Sequence, residues 1–116
     1  MPIVKGWLRA SLRKVDTTHP DHTAYLPHRN YFSGDVQCVK LDEVYTVDVE
    51  IWPTNVVLSK GDKLVLEVAS GDTQGSGYFT HNHPDDRNEE KLKGWNNIHL
   101  GEGRENCLVL PVIPAL

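Results

Sequence analysis

The sequence predicts an all-β protein with very little helix. Two runs alternate apolar and polar residues with period two, a glycine turn joins them, and the two long connections elsewhere show no sustained helical period. The central run, residues 44–72 (VYTVDVEIWPTNVVLSKGDKLVLEVASGD), carries most of this signal. In it Tyr45, Val47, Val49 and Ile51 alternate with Thr46, Asp48 and Glu50, the pattern of a half-buried strand. Pro53 ends that strand because it has no N–H for a ladder. Beyond Val56–Leu58, the tetrad Ser59-Lys60-Gly61-Asp62 reads as a hairpin turn, and Leu64, Leu66 and Val68 resume the alternation against Lys63 and Glu67. Val49 and Ile51 are thereby placed on a core face.

The remaining elements follow in order. Residues 3–13 form a first strand of imperfect alternation, with Val4, Trp7 and Leu8 apolar and Arg9 and Arg13 charged. Residues 15–39 are rich in His, Pro, Thr and Asp and read as a long connection. A loop beyond about 15 residues needs anchors of its own, and Tyr25, Leu26, Tyr31 and Phe32 are the apolar groups available. A second polar connection, 71–94, has room for a short strand at 78–81 and a helical turn at 86–92 capped by Asp85 or Asp86. Residues 96–100 and 106–113 read as two final strands joined by Gly101-Glu102-Gly103-Arg104.

Length and charge narrow the functional classes. A chain of 116 residues fits one domain, 1–116, with a modest core. Twelve Lys and Arg against sixteen Asp and Glu give a net charge of −4, so there is no basic footprint for nucleic acid and little for an anionic membrane. No run reaches the ~18 apolar residues of a spanning helix, and residues 1–10 lack the apolar stretch of a signal peptide, so a cytoplasmic location is expected. Cys38 and Cys107 have no neighbouring thiol or closely spaced histidine and read as two buried thiols.

Three groups of residues could carry chemistry. Ser76, in Gln74-Gly75-Ser76-Gly77-Tyr78, has glycines one residue away on each side where a nucleophile elbow needs them two away, so it reads as turn chemistry. His81, His83, Asp85 and Asp86 lie within six residues, and in an extended segment His81 and His83 project to one face, which makes these four the metal candidates, although surface hydrogen bonding is the favoured reading and no metal site is predicted. His19, His22 and His28, in the other connection, rank below them. Of the three tryptophans, Trp7 and Trp52 read as core or corner residues, and Trp95, between Gly94 and Asn96, is the one placed for exposure and the candidate for a ligand platform, although packing under the loop is the favoured reading. No catalytic residue and no cofactor is predicted.

Four stretches together resemble a known family: GWLRASLRK at 6–14, EVYTVDVEIWPT at 43–54, the Lys60-Gly61-Asp62-Lys63-Leu64 hairpin and CLVLPVIP at 107–114. In order and spacing they are similar to the carboxy-terminal domain of the X-prolyl dipeptidyl-peptidase and cocaine-esterase group of serine hydrolases. Leu12 and Asp62 stand where that family usually has histidine. The resemblance implies a jelly-roll antiparallel β-sandwich of galactose-binding-like type, here without the family's first strands. It implies an accessory, non-catalytic domain whose partner is an α/β-hydrolase domain bearing the Ser, Asp and His of the triad. A homodimer mate is the other expected partner, since an unpaired sheet edge recruits another chain. The alternative reading is a freestanding ligand- or carbohydrate-binding module, using Thr80 to Asp86 and Trp95 as its surface.

Overall fold

The computed structural model of the chain describes residues 2–71 and 83–114. Helix is scarce among them, as predicted: two single 3-10 turns, Ala10–Leu12 and Ser33–Asp35, and one α-helical turn, α1, at Glu89–Leu92. No strand forms among the described residues. The antiparallel pairing present consists of two isolated bridges, Thr23 with Leu26 and His83 with Arg87. Alternation decides which side chains share a face, but a ladder also needs a second backbone in register, and the two sequence properties are independent.

The chain divides into two compact units, one of Met1–Lys5 with Ile51–Asn96 and one of Gly6–Glu50 with Asn97–Leu116. In the first, the Trp52 amide donates to the Lys5 carbonyl at 3.0 Å, tying the amino-terminal segment to the residue before Pro53. The predicted hairpin turn is formed. Asp62 N donates to the Ser59 carbonyl at 3.0 Å, the Ser59 amide donates back to the Asp62 carboxylate at 2.8 Å, and Gly61 takes φ +100°, which an L side chain rarely adopts. The flanking residues nevertheless carry no strand ladder.

The helical turn is also present, but shorter than predicted and with a different cap. Asn88 sits in extended conformation and its side-chain oxygen accepts from Glu90 N at 3.0 Å and Lys91 N at 3.2 Å, while Glu89 and Glu90 place negative charge at the positive end of the turn. Asp85 and Asp86, the predicted caps, lie instead in the turn closed by His83 and Arg87, whose amides and carbonyls exchange bonds at 3.3 and 2.8 Å.

In the second unit, Arg104 N donates to the Gly101 carbonyl at 3.1 Å, so the predicted Gly101–Arg104 turn also forms. Gly101 there has φ +109°. Asn106 reaches back over this turn to the His99 carbonyl at 2.9 Å.

Burial departs from the sequence reading. Among the described residues no hydrophobic side chain is buried; the buried positions are Ser11, 2% exposed, and Arg29, 8% exposed. Val49 is 45% exposed and Ile51 36%, and Trp7 and Trp52 are exposed too, so none of the four is a core residue in this chain taken by itself. Tyr25, Leu26, Tyr31 and Phe32 are likewise exposed and do not anchor the 15–39 connection. Cys38 and Cys107 are free thiols, as expected, but exposed rather than buried. The common cause is that period-two patterning creates an apolar face without supplying the surface that covers it.

Candidate functional site

The best-organised part of the molecule is the 13–37 region of the second unit, and polar groups hold it together. Asp16 is its hub. One carboxylate oxygen accepts from the Thr18 amide at 3.0 Å and hydroxyl at 2.7 Å, an Asx turn that an Asp-Thr-Thr sequence favours. The other oxygen accepts from the Asn30 side-chain amide at 3.0 Å, and the Asp16 backbone amide donates to the His28 carbonyl at 2.8 Å. The two ends of the loop are therefore clamped side by side. Chiefly because of the Thr18 hydroxyl, then Asn30 and the Thr18 amide, the Asp16 carboxyl is lowered from 3.8 to about 2.

Arg29 and Arg13 fix this loop to its surroundings. The buried Arg29 guanidinium donates to the Asp48 carbonyl and, at 3.5 Å, to the Arg13 carbonyl, while its Nε is buried with no acceptor. Arg13 donates to the carbonyls of Ala10 at 3.0 Å and Gln37 at 2.6 Å, and its guanidinium lies 4.0 Å above the Tyr45 ring. The Tyr45 hydroxyl in turn donates to Glu43 and holds that carboxyl below its ordinary range, with Lys40 adding to the effect. Lys14 pairs with Asp35. Between Lys14, Asp16, Asn30, Phe32 and Asp35 lies an open depression of about 380 Å³.

Within this loop the His19 and His28 rings stack, with centroids 3.6 Å apart and planes 2° from parallel. One ligand-type atom from each of His19, Asp21 and His28 falls within 4.8 Å of the others. Of the predicted metal group, His81 lies outside the described residues, and the His83 ring nitrogen Nδ1 accepts from the Asp85 amide at 3.3 Å. Ser76 and its flanking glycines also lie outside the described residues. Trp95 is 95% exposed, the most exposed of the large apolar side chains described.

Sequence reasoning missed the Asp16 hub and the stacking of His19 on His28. A signal for the first was present, since Asp-Thr-Thr is a turn motif with a mechanism. No signal announced the second, because nothing local states that positions nine apart will stack.

Comparison with known proteins matches the chain to a non-catalytic module of a larger enzyme. A family model described as the X-Pro dipeptidyl-peptidase C-terminal non-catalytic domain matches residues 1–109. The chain belongs to that family. No curated protein and no solved structure matches it. The match takes in the whole 13–37 loop and the 44–72 run, so both belong to the domain and neither is an appendage.

Proposed function

We propose that the chain is the structural and interface module of an X-prolyl dipeptidyl-peptidase or related acyl hydrolase. Its alternating segments build part of a jelly-roll β-sandwich, and that sandwich packs against an α/β-hydrolase domain bearing the catalytic Ser, Asp and His. Peptides with proline at the second position are then the substrates of the neighbouring domain, and this module buttresses that domain and helps shape the entrance. The observation that carries the reading, beside family membership, is the uncovered apolar alternation: Val47, Val49 and Ile51 in one run and Leu64, Leu66 and Val68 in the other are all exposed. Such a surface is stable in water only when another surface meets it.

A hydrolase domain from a family enzyme, expressed without its own carboxy-terminal domain, provides the test. It should co-elute with this chain in size-exclusion chromatography, and Val49→Asp with Ile51→Asp should abolish co-elution. Co-elution insensitive to those changes would place the interface elsewhere; none at all would sink the proposal. The chain by itself should leave a proline-dipeptide chromogenic substrate intact, because its sequence contains no Gly-x-Ser-x-Gly elbow. Turnover that disappears in Ser76→Ala would contradict this.

A second reading rests on Trp95, whose exposed indole offers the flat face of a carbohydrate platform. Quenching or shift of tryptophan fluorescence by an oligosaccharide, lost in Trp95→Ala, would favour a freestanding binding module.

A further inference from the structure

We propose that His19, Asp21 and His28 bind a divalent transition-metal ion of the zinc type. Two imidazoles and one carboxylate form a donor set that suits Zn²⁺, Cu²⁺ or Ni²⁺, with a fourth position open to water or a ligand. The three ligand atoms already lie within 4.8 Å of one another, whereas tetrahedral Zn²⁺ with bonds near 2.1 Å sets its donors roughly 3.4 Å apart. Closing that gap takes about an ångström of side-chain movement, within reach of an exposed aspartate and of two imidazoles whose terminal torsion is broad.

Hydrogen bonds set the ring nitrogens correctly. The His28 Nε2 bonds the Asn30 side-chain oxygen at 3.1 Å; an amide oxygen can only accept, so Nε2 carries the hydrogen and Nδ1 keeps its lone pair. Asn30 is itself held by Asp16 at 3.0 Å. An imidazole that donates its second nitrogen to a fixed acceptor is the usual arrangement of a metal-binding histidine, and here Asp16 and Asn30 supply it. The His19 Nδ1 is unprotonated, since it accepts the Asp21 amide at 3.2 Å, and it sits 3.7 Å from the Asp21 carboxylate; an ion takes this lone pair by displacing that amide. Parallel rings aim their lone pairs alongside one another, so binding turns the rings and ends the stack.

The backbone holds these groups near each other before any ion arrives. Asp16 N to the His28 carbonyl closes the loop, His22 N donates to the His19 carbonyl at 3.0 Å, and His28 N donates to the His22 ring at 3.2 Å. The backbone part of the ordering cost is thus already met, and ion binding has to offset only the loss of the ring stack and of the Asp21 amide bond. Beside the cluster is a shallow depression of about 230 Å³, whose wall includes Asp21, His28, Arg29 and Glu50.

Calorimetric titration of the full chain with Zn²⁺, paralleled by the visible spectrum of Co²⁺, tests the site. The expected result is saturable binding of one ion, weakened at least about tenfold by each of His19→Gln, His28→Gln and Asp21→Asn, and unchanged in His83→Gln. Asp21 is exposed, so its variant keeps the fold if either histidine variant does not. Absence of saturable binding, undiminished affinity in Asp21→Asn, or a loss confined to His83→Gln would each overturn the assignment.

Discussion

Asp16 does more to shape this molecule than any of its larger residues. A single carboxylate serves the Thr18 amide and hydroxyl and the Asn30 amide, and its own backbone N–H closes the loop on His28. Those donors favour the charged form, which is why the carboxyl is lowered to about 2 in the fold against 3.8 without it. A depressed carboxyl stabilises the fold above its unfolded value and loses that contribution as pH falls through its folded value. The loop should therefore open between about pH 4 and pH 2. Amide NMR of Thr18 and Asn30 would follow the opening, and in Asp16→Ala the acid-dependent step should vanish. An identical acid transition in the variant would assign it to another carboxylate. Arg29 shows the opposite economy: its terminal nitrogen is well bonded, but its buried Nε has no acceptor, a deficit of about 1–3 kcal/mol for an orphaned polar group.

At the scale of elements, the turns and caps that form are those that close over short sequence distances. The Ser59–Asp62 and Gly101–Arg104 turns, the Asn88 cap and the Asx turn at Asp16 all join groups two to three residues apart. Loop closure at that range costs little, whereas strand pairing must bring remote backbones into register. The predicted strands thus keep their alternation without a ladder. A core residue cut to alanine costs roughly 2–5 kcal/mol, but Val49 and Ile51 are 45% and 36% exposed. Val49→Ala should consequently cost under about 1 kcal/mol in denaturant unfolding of the chain by itself, close to Asp48→Ala. In a complex that covers the face, the same change should cost about 2–5 kcal/mol. A large loss in the isolated chain would show that the face is already buried there.

Over the whole molecule, the described apolar residues lack a shared interior, and no described helix is long and apolar enough to cross a membrane. An uncovered apolar face in water associates with whatever complementary surface is present, and in a pure sample that is a second copy. The isolated chain should therefore dimerise through the 3–11 segment or the face of Val47, Val49 and Ile51, over at least ~1,000 Å². Light scattering through a dilution series should show mass falling with concentration. A strictly monomeric mass with cooperative unfolding would mean that the 15–39 connection shields the face within one chain.

Legibility divides along the same line between near and far. The turns at Gly61 and Gly101 could be read directly, because a turn needs a particular residue type at one position, whereas the cap was read at Asp85 or Asp86 and falls on Asn88, an equally good capping type a few residues on. Family membership was legible too, since GWLRAS and EVYTVDVEIWPT, both within the matched residues 1–109, keep the family's order and spacing. The sequence by itself determined local conformation, the sides on which apolar residues alternate, and kinship. Tertiary structure alone decided that Asp16 reaches Asn30, that His19 stacks on His28, and that Val49 and Ile51 stay exposed. Burial and convergence are relations between segments, and no single segment's composition specifies the surface that will come to lie against it.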